Sequence, residues 1–590
     1  MHSNEEEKTI EEFLNNGELL YNVGQYGELA QLCREFLENL SDDRVCSMLS
    51  SAEYALGNYS AAEKSAREGL DINSKNPDNL LNLAYILYNK GSYSNALRYF
   101  ERARKIGGAD ISNICAEDMP KLEEITNKTV AELLPEKARR RVLIIAMIFP
   151  PESGSGAQRT VKLVKYLRFF GWEPVVVTLP INRNLFFTGY EYFDELPDDI
   201  EVIRIPFKLT LNELDVERMK DRLVAMLSER TREEFESVYN RSDLQKKFEL
   251  CWFPEPLVFW AYTVAECIGS YVDMSTIDIV YSTSGPYCDH FAGYYIKQQY
   301  QLPWVADFRD EWSNNPVIWL DKKNLQYRMC LDCERTIINS AEHMICVTER
   351  SLENYLKLGF PDSKLSCITN GFDEEDFEGI NDESAANEKF TIIHNGLLYY
   401  DRTPMTILTA LKNLIDINKI DAGKIAFHMG CFKDKADNDE LENDVKRMTL
   451  DKVAFVTPYM EHRESLAHAA SANLLILLLG PSKSYAATYP AKIFEYLRLS
   501  KPILSLGPDK SIIQELLNNT GHGINVNFTD VTLIESVILQ YYRAWLEKID
   551  GNALIAADVS AYERKSLVGR HAETFEKAVA SPVFHIDNEL

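Results

Sequence analysis

The hydrophobic pattern changes period near residue 141. Beyond it, short apolar runs alternate with amphipathic stretches, the pattern of a parallel sheet with crossover helices. Val142 to Phe149 is one uninterrupted run, as a strand covered on both faces requires. A helix over Gln158 to Phe170, Gly171 and a second strand over Pro174 to Leu179 follow. Further strands are predicted over Ile277 to Thr283, Pro303 to Ala306, Met344 to Val347 and Leu365 to Ile368. A second series begins at Phe390 to His394 and continues over Ile425 to Met429, Val453 to Val456, Ala472 to Leu479 and Ile503 to Ser505. The expected fold class is α/β, with two Rossmann-like halves over 141–375 and 376–555 and a cleft between them. Residues 556–590 read as a helical tail that packs back on the body. Residues 181–250 are polar and charged, and read as a helical insertion over the acceptor side.

Ahead of this body the pattern is helical and repeats itself. Gly24-Gln25-Tyr26, Gly57-Asn58-Tyr59 and Gly91-Ser92-Tyr93 recur at steps of 33 and 34 residues. Each falls in a short break between two helical patterns, and Leu29, Ala62 or Ala96 lies five residues beyond the glycine. Leu80, Leu83 and Ala84 give the apolar spacing of a helix face. Residues 1–107 resemble the tetratricopeptide repeat, a 34-residue helix-turn-helix unit that stacks into a solenoid. The resemblance implies docking of a protein partner or a second copy; a packing appendage is the alternative. Residues 108–140 read as a connector ending in Arg139-Arg140-Arg141.

The polar clusters sit where strands end. Pro150-Pro151-Glu152-Ser153-Gly154-Ser155-Gly156-Ala157 follows the first strand, and its glycines allow a ligand close to backbone N–H groups. The spacing is not G-x-G-x-x-G, and no acidic residue ends the second strand, so a dinucleotide site is disfavoured. Ser284 to His290 and Asp307-Phe308-Arg309-Asp310-Glu311-Trp312 also lie at carboxyl ends of strands, where open parallel sheets place ligands. Arg159, Lys162, Lys165 and Arg168 recur every three residues and share a helix face. They read as a solvated face, or as a patch for an anionic or lipid-linked acceptor.

Charge and cysteines narrow the class. With 63 basic and 90 acidic side chains the net charge is -27, which argues against nucleic acid as a partner. The acidic start is no signal peptide, and no apolar run is long enough to span a bilayer, so a cytoplasmic location with at most peripheral membrane contact is expected. The 11 cysteines have no framework and read as reduced thiols, Cys330-x-x-Cys333 included.

Four segments, in this order, resemble the retaining GT-B glycosyltransferases of family 4 type: Phe149 to Arg159, Asp307 to Trp312, Ile368 to Asp373, and Tyr489-Pro490-Ala491-Lys492-Ile493-Phe494-Glu495-Tyr496-Leu497. The resemblance covers residues 141 to 580. It implies that the first half holds the acceptor and the second a nucleotide-sugar, as substrate rather than cofactor, in bacterial surface polysaccharide synthesis. Donor contacts would come from Asn395, Gly396, Arg402, Tyr489, Lys492 and Glu495, with Glu495 on the ribose hydroxyls and Arg402 gripping the diphosphate. A helix starting over Tyr489 to Lys492 would offer free amides to the phosphates. Many relatives carry an acidic residue eight positions before Glu495; this chain has Ala487. His290 and Asp310 are the catalytic candidates. Gly154, Ser155, Gly156, Arg159, Asp307 and Arg309 are candidate contacts to a glycan or lipid-linked acceptor, with an internal Asp307–Arg309 ion pair as the alternative. No D-x-D-like motif follows a strand, so no metal is expected. A non-catalytic scaffold and a sugar-nucleotide epimerase are the competing readings.

Overall fold

A computed structural model describes residues 4–581, apart from 134, 153–154, 181–194, 198, 207–212, 254, 256, 316–320, 383, 385–386, 399–401 and 550–556. The chain divides into two compact units. The first holds the helices up to Glu136 and two short returns of chain, one of them Glu374–Gly379. The second is the remainder from Lys137 onward.

The first unit contains three helix pairs: α1 (Asn4–Asn22) with α2 (Tyr26–Leu37), α3 (Asp43–Ala55) with α4 (Tyr59–Ile72), and α5 (Pro77–Asn89) with α6 (Tyr93–Ile106). Gly24, Gly57 and Gly91 turn each pair with φ of 78°, 78° and 73°. The left-handed turn explains the repeated glycine, because a Cβ is disfavoured there. Across every turn two tyrosines five residues apart meet edge to face: Tyr21–Tyr26 at 5.1 Å, Tyr54–Tyr59 at 5.4 Å and Tyr88–Tyr93 at 5.7 Å. Leu29, Ala62 and Ala96 are fully buried where the helices approach. Asp42 and Asn76 cap α3 and α5 through their side chains. Much of the expected connector is a further helix, Ala109–Thr126, whose Cys115, Met119 and Leu122 join the Leu83 and Phe100 cluster.

In the second unit the described strands form two parallel sheets. The first contains β1 (Arg140–Ile145), β2 (Trp172–Thr178), β3 (Glu201–Arg204), β4 (Ile279–Thr283), β5 (Trp304–Phe308), β6 (His343–Cys346) and β7 (Leu365–Cys367), ordered β3-β2-β1-β4-β5-β6-β7. The second contains β8 (Phe390–His394), β9 (Ile425–Met429), β10 (Ala454–Val456), β11 (Leu474–Leu478), β12 (Ile503–Leu506) and β13 (Gly523–Val526), ordered β10-β9-β8-β11-β12-β13. Both are Rossmann-like and open, with the order reversing beside the first strand of each series.

Residues 181–250 differ from the expected insertion. Their described part contains edge strand β3, followed by three helices between Glu213 and Trp252. Val216, Met219, Phe235 and Phe248 on those helices belong to the first lobe's core. The segment is therefore a layer of that lobe. The helix Arg564–Ala580 also returns to it, lying against the Ser155–Leu167 helix, with Phe575 edge-on to Trp172 at 5.4 Å.

That docking overturns the expectation for the cationic face. Arg159, Lys162, Lys165 and Arg168 are 3%, 1%, 3% and 7% exposed. Each meets a carboxylate. Arg159 donates to Asp307 Oδ2 at 2.7 Å and Oδ1 at 2.9 Å. Lys162 and Lys165 lie 2.8 and 2.7 Å from Asp373 Oδ2. Arg168 donates twice to Glu173, at 2.9 and 2.8 Å. Burial alone would forbid four cations on one face; three carboxylates offset it. The face is an internal ion ladder, and neither a solvated surface nor an acceptor patch.

Candidate donor cleft

Two loops build the second-lobe wall. β8 ends at His394, and Gly396 follows with φ of 108°. A Cβ there would collide with the Lys492 ammonium, so glycine is required both for the turn and for that approach. Lys492 Nζ donates to the Asn395 carbonyl. The helix expected near Tyr489 begins at Lys492 and runs to Arg498; Tyr489, Pro490 and Ala491 form the loop before it. Ile493, Phe494 and Leu497 are buried beneath the helix, which leaves Lys492 and Glu495 on its open side.

These residues line a cavity of about 550 Å³ between the two lobes. Gly396, Arg402, Tyr489, Lys492 and Glu495 line it from the second lobe, and Gln158, Arg309, Asp310 and Glu311 from the first. Glu495 Oε1 is met by His462 Nε2 at 2.8 Å and by Gln158 Nε2 across the cleft at 3.5 Å. Burial pushes the Glu495 carboxyl up, but His462, Gln158 and Lys492 together outweigh it and the group lies below its ordinary range. Burial pulls the Lys492 ammonium down to about 8; Glu495 opposes this and Arg402 adds to it. Arg402 lies over the Tyr485 ring at 4.9 Å. A carboxylate that accepts hydroxyls and cations held close together suit a ribose and a diphosphate.

The other expected site residues have different surroundings. Asn395 lies behind the wall: its Oδ1 meets His468 Nδ1 at 2.8 Å and its Nδ2 donates to the Ser465 carbonyl. His290 is fully buried, with Nδ1 against Ser282 Oγ at 2.8 Å and its ring stacked on Phe308 at 4.3 Å. Burial lowers it to about 3, so it is neutral, and it is not on the cavity wall. Asp307 pairs with Arg159 rather than with Arg309, and this pair too is away from the wall. Arg159 also donates to the Thr369 and Ile368 carbonyls at 2.9 and 3.0 Å, which fixes it inside the lobe. Asp310 is exposed on the wall, 3.9 Å from Arg309 Nε. Gly156 backs the Arg309 guanidinium: a Cβ there would meet Nη1 at 3.0 Å. Gly154 and the Ser155 side chain lie outside the described residues. Cys330 and Cys333 are buried free thiols pushed up by burial.

The sequence reasoning missed His462, Gln158 and Tyr485. His462 sits in the charged stretch Glu461-His462-Arg463-Glu464, where nothing local distinguishes it from a solvated helix start. Its partner Glu495 is 33 residues away. Ala487, at the position where relatives carry an acid, does line the cavity.

The Glycosyltransferase Family 4 model matches residues 224–376, which include helices of the first lobe and its strands β4 to β7. No curated protein sequence matches the chain. A glycosyltransferase from Rickettsia africae has 12% identity and a TM-score of 0.51, covering 75% of this chain and 100% of its own. A sucrose-phosphate synthase from Thermosynechococcus elongatus has 14% identity and a TM-score of 0.49, covering 74% and 98%. An O-GlcNAc transferase from Thermobaculum terrenum has 12% identity and a TM-score of 0.36, covering 98% and 99%. The sheet orders and the Rickettsia structure give the GT-B fold, and residues 224–376 of this chain are similar to Glycosyltransferase Family 4.

Proposed function

We propose that the chain moves a sugar from a nucleoside-diphosphate donor to a hydroxyl of a glycan or lipid-linked acceptor in surface polysaccharide synthesis, with retention and without a metal. The observation that carries this is Glu495, Lys492 and Arg402 on one wall of an interlobe cavity, opposite Arg309 and Asp310. Glu495, with Oε1 oriented by His462, accepts the ribose hydroxyls. Lys492 and Arg402 neutralise the leaving diphosphate, the charge that develops as the glycosidic bond breaks. Asp310 orients the incoming hydroxyl. Gly156 shapes the acceptor side. His290 acts as a positioning residue, because its neutral ring fixes Ser282 and Phe308 beneath the loop after β4. The helix pairs of residues 4–106 serve as a docking surface for a protein partner or a second copy, and the protein works in the cytoplasm or at the inner face of a membrane.

A thermal-shift series against UDP-, GDP-, TDP- and ADP-sugars tests the reading. One base raises the melting temperature, by mass action on the folded state, and Glu495→Ala removes the shift. No response to any donor would refute donor binding. Ala487 on the cavity wall favours a second reading, a non-catalytic scaffold. Donor binding with no hydrolysis of the nucleotide-sugar and no transfer to any acceptor would decide for it.

A further inference from the structure

We infer that Arg309 is a phosphate-binding residue, and that the first lobe thereby supplies a further cation to the donor's diphosphate. The inference rests on the donor-cleft reading above. Two buried arginines of this lobe show how a guanidinium is held when the fold itself satisfies it. Arg159 and Arg168 each grip a carboxylate through two short bonds, and Arg159 adds two carbonyls. Arg309 has no comparable partner among the described residues. Its best guanidinium bond is Nη2 to the Gly285 carbonyl at 3.5 Å, and its closest carboxylate, Asp310, is 3.9 Å away. Its side chain is nevertheless only 18% exposed, and it faces the cavity.

A half-buried guanidinium carries five N–H donors and a charge, and leaving these unmet is costly. The backbone around it is shaped to hold it in that position. The Arg309 amide donates to Ser284 Oγ at 3.0 Å. Gly156 and Gly285 flank the guanidinium; a Cβ would come within 3.0 Å of Nη1 and 2.7 Å of Nη2, and Gly285 has φ of 58°. Two glycines on either side leave the planar group room and direct it into the opening.

The cavity lies within reach of two other cations, Arg402 and Lys492, and Arg402 depresses Lys492. Three cations facing one cleft, two of them on one lobe and one on the other, match a group with several anionic oxygens. A diphosphate is such a group. Because Arg309 is on the opposite lobe, the diphosphate would bridge the cleft, and the phosphates rather than the base would draw the lobes together.

Calorimetric titration of the full chain tests this with the nucleoside diphosphate that binds best and with its parent nucleoside. Arg309→Gln should weaken the diphosphate tenfold or more and leave the nucleoside within twofold; Arg309→Lys should fall between. Retained nucleoside binding shows that the variant is folded and its ribose site intact. Equal losses for both ligands, or no loss for either, would overturn the inference. Inorganic phosphate titrated into wild type saturated with the nucleoside diphosphate separates the two sources. Arg309-dependent binding there would assign the residue to a phosphate on the acceptor and refute the donor assignment. A wild-type chain that binds neither nucleoside nor diphosphate would remove the donor-cleft reading itself, and this inference with it.

Discussion

Replacing Asp307 with asparagine tests the ion ladder at its most enclosed rung. The Asp307 carboxylate accepts Arg159 Nε at 2.7 Å and Nη2 at 2.9 Å, the Tyr281 hydroxyl, and Thr283 Oγ1 at 3.3 Å. It is 0% exposed and Arg159 is 3% exposed, so solvent screening is minimal. Asparagine keeps the shape and leaves the guanidinium without its counter-charge. Breaking a buried pair from one side costs about 3–5 kcal/mol. Burial pushes the Asp307 carboxyl up, and Arg159, with His571 and Tyr281, more than cancels it, so the group lies below its ordinary value. A lowered folded pKa means that the stabilisation is fully present above about pH 4 and is lost as pH falls through the folded value. The assay is urea unfolding followed by tryptophan fluorescence, since Trp172 and Trp304 are fully buried in this lobe. At pH 7 the first-lobe transition of Asp307→Asn should be weaker by about 3–5 kcal/mol, and the gap should narrow as pH falls below about 4. A double-mutant cycle with Arg159→Met should give coupling near the top of the usual range of about 0.5–3 kcal/mol. A loss under about 1 kcal/mol at pH 7, or coupling under about 0.5 kcal/mol, would refute the argument.

Three further outcomes follow from the geometry. Lys492 sits at about 8, so a diphosphate that holds it charged should take up a proton on binding near pH 8.5; calorimetry in buffers of different ionisation enthalpy reads this uptake, and Lys492→Met should abolish it. Gly396→Ala, at φ of 108° and against the Lys492 ammonium, should weaken donor binding at least tenfold in a fluorescence titration, with the far-UV spectrum unchanged. Leu83→Ala empties a fully buried position of α5 and should destabilise the helical unit by about 2–5 kcal/mol, read as an earlier helix-melting transition by circular dichroism.

The strands with continuous apolar runs were legible in the sequence, because burial on both faces leaves no ambiguity. Phe390–His394 and Ile425–Met429 match their expected bounds. Glu201–Arg204 was not legible: an edge strand of four residues with only Val202 and Ile203 apolar, between a glutamate and an arginine, resembles a loop. Gly523–Val526 is as short and opens on glycine. Lys492 and Glu495 lie in one contiguous segment, so their meeting on one cavity wall was legible, and Arg402 joins them there from the loop after β8. The acceptor side was not. Arg159 and Asp307 sit in motifs that signal a ligand contact, yet they are 148 residues apart and saturate each other. Periodicity could place the four cations on one helix face, but it could not show that a helix more than 400 residues onward would cover that face, with Arg159 meeting His571 at 3.3 Å.

The return of Arg564–Ala580 to the first lobe constrains how the molecule is made. Strands β1 to β7 leave the ribosome long before the segment that shields Arg159 and its neighbours. Domains usually mature in order of synthesis; here the amino-terminal lobe must wait, with charged groups still solvated, until the carboxy-terminal lobe has emerged. Emergence of the Arg564–Ala580 helix is then the event that completes the earlier lobe, and a chain cut before residue 564 would leave it open.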